Sequence, residues 1–178
     1  LAPPFHAQSF PDHTSTTVND FAGLLPDDDE RALSQRLTRL ERDTGVELTV
    51  VTLPTQAAYA PDMTLEAFAT ALFNHWGVGR AETNDGVMIL VFRDDRAMRL
   101  ELGAAYGRDW DRVAQDVVER HFLNAFGTGD YVRGLTWGTE QTIERIAREV
   151  LDLETLEPRG RDHLDFHELG VWQIRQAL

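Results

Sequence analysis

Residues 84–103 read Asn84-Asp85-Gly86, then Val87-Met88-Ile89-Leu90-Val91-Phe92, then Arg93-Asp94-Asp95-Arg96, and then Ala97-Met98-Arg99-Leu100-Glu101-Leu102-Gly103. The first apolar run is unbroken, the pattern of a strand buried on both faces. The second run alternates, with Met98, Leu100 and Leu102 set against Arg99 and Glu101, the pattern of a strand with one wet face. Four polar residues between them suit a tight antiparallel hairpin. Such a hairpin returns the end of its second strand to the edge where its first strand began. Asp85 then faces the next loop, which carries Tyr106, Arg108, Asp109 and Asp111. Candidate chemistry collects on that edge.

Working back from the hairpin, Leu65, Phe68, Leu72 and Trp76 repeat at helical spacing, and Gly77-Val78-Gly79-Arg80 closes that helix. Before it, the Val-rich run from Glu47 to Leu53 predicts a strand that Pro54 ends. Strand, helix, strand reads as a right-handed βαβ crossover, so 47–53 and 87–92 are expected to be parallel. Pro26-Asp27-Asp28-Asp29-Glu30 predicts a helix start capped by Asp27, with Leu33, Leu37 and Leu40 inward and a stop at Gly45. Val18 to Ala22 is either a short edge strand or a bridge into that helix. Residues 1–17 read as an extended lead-in that the domain does not bury.

Beyond the hairpin, a third helix from Asp109 or Asp111 carries Ala114, Val118, Phe122 and Phe126. A fourth follows the turn at 127–131 and runs to about Leu153. The expected fold is α/β, a three-layer α/β/α sandwich with a small mixed sheet spanning 18–153. Residues 154–178 form a hinge at Pro158-Arg159-Gly160-Arg161 and a weakly amphipathic helical tail.

Composition prunes the function classes. The chain has 178 residues and a formal net charge of −13, which disfavours nucleic acid and anionic membranes. It has no cysteine and no lysine, which removes thiolate chemistry, P-loops and Schiff bases. Its three serines, Ser9, Ser15 and Ser34, lie outside any Gly-x-Ser-x-Gly turn. Gly77-Val78-Gly79 follows a helix rather than a strand, so it is not a dinucleotide fingerprint. No apolar run is long enough to span a bilayer. The chain starts without Met, as after removal of a signal peptide or after trimming from a longer chain.

Residues 18–146 resemble the TPM-domain family. The resemblance rests on Val18-Asn19-Asp20-Phe21-Ala22-Gly23-Leu24-Leu25, on Thr44-Gly45-Val46-Glu47-Leu48 running into Val50-Val51-Thr52, and on Phe73 with Trp76-Gly77-Val78-Gly79. It continues through Asn84-Asp85-Gly86-Val87-Met88-Ile89-Leu90, Asp95-Arg96-Ala97-Met98-Arg99 and Leu102-Gly103-Ala104-Ala105-Tyr106-Gly107. Asp111 with Ala114, and Phe126 with Gly129-Asp130-Tyr131-Gly134-Leu135, complete it. The family reads Gly-Tyr-Gly after its third strand, whereas here Ala104-Ala105 separates Gly103 from Tyr106-Gly107, and Arg108-Asp109-Trp110 replaces an acidic-glycine loop. The resemblance implies an α/β sandwich and a divalent cation, most often calcium. The family's members include a thylakoid-lumen acid phosphatase tied to photosystem II repair, and bacterial envelope proteins.

Taken together, these readings nominate Asp85, Asp111, Asp109 and Asp20 as oxygen ligands for Ca2+ or another divalent ion such as Mg2+. Like carboxylates held on one edge need a cation or a proton between them, and calcium accepts six to eight oxygens. The competing reading makes Asp85 a turn residue and Asp109 or Asp111 a helix cap. Arg80 and Arg108, on loops of the same edge, either clamp a phosphate or neutralise the acids. Asp94 and Asp95 belong to the opposite edge. His163 and His167 stand four apart with Asp162 and Glu168 nearby, a weak candidate for zinc. Trp76, Trp110, Trp137 and Trp172 read as core or interface. The expected function is an extracytoplasmic, calcium-binding envelope domain with a maintenance or protein-interaction role. A metal-dependent phosphatase of low activity, with catalytic residues unassigned, and a ligand-free structural domain are the alternatives.

Overall fold

The computed structural model describes residues 9–148 together with Ile174–Arg175. Strand β1 (Val18–Asp20) leads into helix α1 (Asp27–Thr44), β2 (Leu48–Leu53), a short 3-10 turn (Gln56–Ala58) and α2 (Leu65–Trp76). The hairpin β3 (Val87–Phe92) and β4 (Ala97–Leu102) follows. Next come α3 (Asp109–Val117), a π turn (Val118–Leu123), α4 (Asn124–Gly127), α5 (Tyr131–Thr142), a second π turn (Ile143–Ala147) and the two-residue β5 (Ile174–Arg175). The sheet order is β1-β2-β3-β4-β5. The first three strands are parallel, and β4 and β5 each pair antiparallel to the strand before them.

The unbroken run of β3 is buried on both sides, as its sequence requires. Val87, Ile89 and Val91 meet Leu33, Leu37, Leu40, Phe122 and Leu135 on one face. Met88, Leu90 and Phe92 meet Leu65, Phe68, Leu72 and Phe73 of α2 on the other. Each such side chain contributes about 2 kcal/mol relative to leaving it in water. Because the strands step one way from β1 to β3 while α1 and α2 cover opposite faces, the two crossovers have opposite hands. One of them is left-handed, against a strong general preference.

Several sequence expectations change. Asp27 does not cap α1: Pro26 precedes the first turn without a side-chain cap, so Asp27, Asp28, Asp29 and Glu30 act on the helix dipole instead. Strand β4 has no wet face. Arg99 and Glu101 are buried against α2, because they pair with each other and with Thr70 rather than with solvent. The lead-in is also tied down where it is described. Trp76 Nε1 donates to the Pro11 carbonyl at 2.8 Å, Phe10 stacks edge-on against Phe68, and Val50 N donates to the Thr17 carbonyl. Trp137 is 49% exposed on α5. The tail helix, the hinge at 158–161, the His163/His167 pair and Trp172 lie outside the described residues, and Ile174–Arg175 is strand rather than helix.

Candidate functional site

The register puts the start of β3 beside the end of β4, with Val87 opposite Leu102, and beside the start of β2, with Leu48 opposite Val87. This amino edge is closed by loops that follow α2 and β4. Gly77 ends α2 in the left-handed region, where its N–H reaches back to Asn74 and that of Val78 to Phe73. The chain then turns at Gly79 (φ 91°) so tightly against Gly86 that a Cβ on Gly79 would stand 2.4 Å from the Gly86 nitrogen. That contact carries Arg80 onto Asp85.

Asp85 is 2% exposed, and Arg80 grips it. Arg80 Nε donates to Oδ2 at 2.9 Å, Nη2 donates to the same oxygen, and the Arg80 backbone N–H donates to Oδ1 at 3.3 Å. Burial by itself pushes the Asp85 carboxyl up. The hydrogen bonds from the Arg80 side chain, from Thr83 and from the Arg80 backbone, with the Arg80 charge, together outweigh it and hold the group below the usual carboxylate range. Tyr106 donates its hydroxyl to the Asp85 carbonyl at 3.2 Å and packs edge-on against Trp110. Burial, and then the Asp85 charge, push the Tyr106 phenol far up, so it stays a donor at any ordinary pH.

Asp111 is half-buried in the first turn of α3 and Asp109 is exposed there. Neither caps the helix; Arg108 holds the cap position, and no side-chain cap hydrogen bond forms there. Burial raises the Asp111 carboxyl, with Arg108 and then Arg99 opposing. Asp20 belongs elsewhere. Because β1 runs parallel to β2, Asp20 sits opposite Thr52 on the carboxyl edge of the sheet. There its oxygens accept from Leu24 N, Leu25 N and the Thr52 hydroxyl. It is a loop cap, remote from the edge that carries Asp85.

Two members of this edge escaped the sequence reading. Glu47 Oε2 accepts from Gly79 N at 3.0 Å, and burial raises its carboxyl. Its signal was legible, since the start of a parallel neighbour shares the edge where β3 starts. Thr83 Oγ1 is buried beside Asp85 without a well-formed hydrogen bond, which nothing in the sequence marks.

The donors suit a hard cation in kind, all being oxygen. In number they fall short of a resident metal site. Among the described residues no three His, Asp or Glu side chains converge, and the Asp85 carboxylate already holds the Arg80 guanidinium as its counter-charge.

A family model for the TPM domain matches residues 18–145. The chain belongs to the TPM-domain family. A second model, for a family of unknown function, matches residues 138–178. Among solved structures, the N-terminal domain of a P. gingivalis protein is 31% identical, with a TM-score of 0.60 over 82% of this chain and 87% of that one. The BA42 protein of the psychrophilic bacterium Bizionia argentinensis shares 19% identity, with a TM-score of 0.55 over 70% of this chain and 82% of that one. The N-terminal domain of a Corynebacterium glutamicum protein shares 14%, with a TM-score of 0.52 over 90% and 93%. These last two show the fold. No curated protein matches.

Proposed function

We propose that this TPM domain is a binding module without turnover, whose amino edge takes a divalent cation of the calcium class in exchange for Arg80. The observation that supports this is Asp85: a buried carboxylate, held ionised, whose counter-charge is an arginine side chain 40% exposed to solvent. Thr83 Oγ1, buried and poorly bonded beside it, offers a second oxygen, and Asp111 follows in the first turn of α3, its carboxyl raised by burial. Backbone carbonyls and water would complete such a shell. In the cation-free chain Arg80 neutralises an acid, the simpler of its two expected roles. The phosphatase reading is weaker because no described residue stands out as a nucleophile. An envelope location with a protein partner goes with the binding reading and rests on the family resemblance.

Calorimetric titration tests it. Calcium is expected to bind weakly to the native chain, more tightly to Arg80→Ala, and not to Asp85→Asn, with a rise in melting temperature wherever it binds. Equal titration of all three proteins would refute the site. Hydrolysis of an aryl phosphate that chelator abolishes would refute the claim of no turnover.

A further inference from the structure

The helical layer carries a second candidate surface, independent of the cation reading. Among the described residues, Phe21 and Trp137 are the large apolar side chains left exposed, and Trp137 is the more exposed of the two. The packing beneath it explains why. Phe122 of the first π turn lies against Gly138 of α5, where a Cβ would stand 2.6 Å from the phenyl ring. With Phe122 and Gly138 facing inward, their chain neighbours His121 and Trp137 lie side by side at the surface, edge-on with ring centres 6.4 Å apart. Burial, and then the Arg145 charge, hold the His121 imidazole below its ordinary range, so it is neutral near pH 7 and adds ring surface to the indole. Arg120 of the same π turn and Arg145 of the second π turn both pair with Asp116 at 2.5 Å, and the Arg120 side chain is 73% exposed. Two guanidiniums thus share one ionised carboxylate, and that cluster is net positive in a chain of net charge −13. The acids next along the chain are otherwise engaged: Glu119 accepts from Gln115, Glu140 pairs with Arg36 and Glu144 with Arg148.

We propose that Trp137, His121, Arg120 and Arg145 form a docking surface for a short acidic segment of a partner protein, which lays an apolar side chain on the indole and a carboxylate on the guanidiniums. Tryptophan and arginine are the side chains that most often dominate the energy of protein interfaces. Trp137 offers a broad rigid face at small entropic cost, and Arg145, already held by Asp116, is oriented before any partner arrives. Each arginine is presented by a π turn, a local interruption of regular helix that recurs at functional sites. Charge sets the size of the partner. The net charge of −13 repels an extended polyanion or an anionic membrane, whose charges meet the whole molecular surface. A segment with one or two carboxylates responds instead to the local cluster, because exposed charges beyond about 8 Å are largely screened at physiological salt.

Random linear peptides displayed on phage, selected on the full chain and counter-selected on its Trp137→Ala variant, test this. The enriched sequences are expected to carry Asp or Glu within a few residues of Leu, Phe or Trp. A labelled peptide of that sequence, read by anisotropy, is expected to bind Trp137→Ala and Arg120→Glu each at least about tenfold more weakly than the native chain, and to weaken as salt is raised. Both positions are exposed, so both variants are expected to keep the native melting temperature. Should Trp137→Ala lower it, Arg120→Glu decides the matter alone. No enrichment over the counter-selection, enriched peptides without acidic residues, or unchanged affinity for Arg120→Glu overturns the proposal. Sedimentation supplies a further check. Self-association of the native chain that Trp137→Ala abolishes would give this face to a second copy and overturn the assignment to an acidic partner.

Discussion

At the amino edge Asp85 is buried, its carboxylate taken up by Arg80 and its carbonyl by Tyr106, beneath loops whose glycine backbones touch. At the carboxyl edge Asp94 and Asp95 stand exposed in the hairpin turn. Asp94 pairs with its neighbour Arg93, and Asp95 accepts from the Thr55 hydroxyl and Gln56 N. The same residue type does different work at the two ends because water reaches Asp94 and Asp95 and not Asp85. A carboxylate in water needs no partner, whereas one held in the interior needs a fixed counter-charge. The backbone around Asp85 is therefore close-packed and intolerant of added bulk, and the hairpin turn is built from replaceable pairs.

The sharpest way to break this contrast is Gly103→Ala. A Cβ there would stand 2.1 Å from the Asn84 carbonyl oxygen, backbone that cannot give way. The expected loss is about 3 kcal/mol or more in denaturant unfolding, against less than about 0.5 kcal/mol for Gly107→Ala, whose Cβ meets nothing within 4 Å. Similar losses from both would mean that the edge is not close-packed.

Next in size is Arg80→Ala, which strands the Asp85 charge and is expected to cost about 2 kcal/mol, while Arg80→Ala/Asp85→Asn recovers part of that. The pH dependence follows from the depressed Asp85 carboxyl. Its contribution is fully present above the ordinary value of 3.8 and is lost as pH falls through the lower folded value. The stability gap between the native chain and Asp85→Asn is therefore expected to be flat near neutrality and to close below pH 3.8. A gap that persists undiminished in acid would show that the carboxylate charge is not what Arg80 holds.

The smallest effects belong to the hairpin turn. Asp95→Ala removes two acceptors from an exposed turn and is expected to cost about 1 kcal/mol. Asp94→Ala is expected to leave the denaturation midpoint where it is, since among the described residues its carboxylate pairs with its chain neighbour Arg93 in an exposed turn. A large loss from Asp94→Ala would erase the distinction between the two edges.

The sequence by itself determined β2, α2, β3 and β4 and the pairing of these strands. An unbroken apolar run admits only a doubly covered strand, and a four-residue polar turn after it admits only an antiparallel return, so β3, β4 and the meeting of Asp85 with the Tyr106 loop were legible. Tertiary structure decided what the polar residues do. Alternation along β4 marks Arg99 and Glu101 as facing one side, and only the placement of α2, with Thr70 against Glu101, makes that side dry. The direction of β1 carries Asp20 to the far edge, where three donors claim its carboxylate. Gly79 against Gly86 brings Arg80 onto Asp85, turning two residues five apart into a buried ion pair. Apolar patterning is local because burial follows periodicity within one element. The fate of a charge depends on which element comes to cover it, and no local pattern records that.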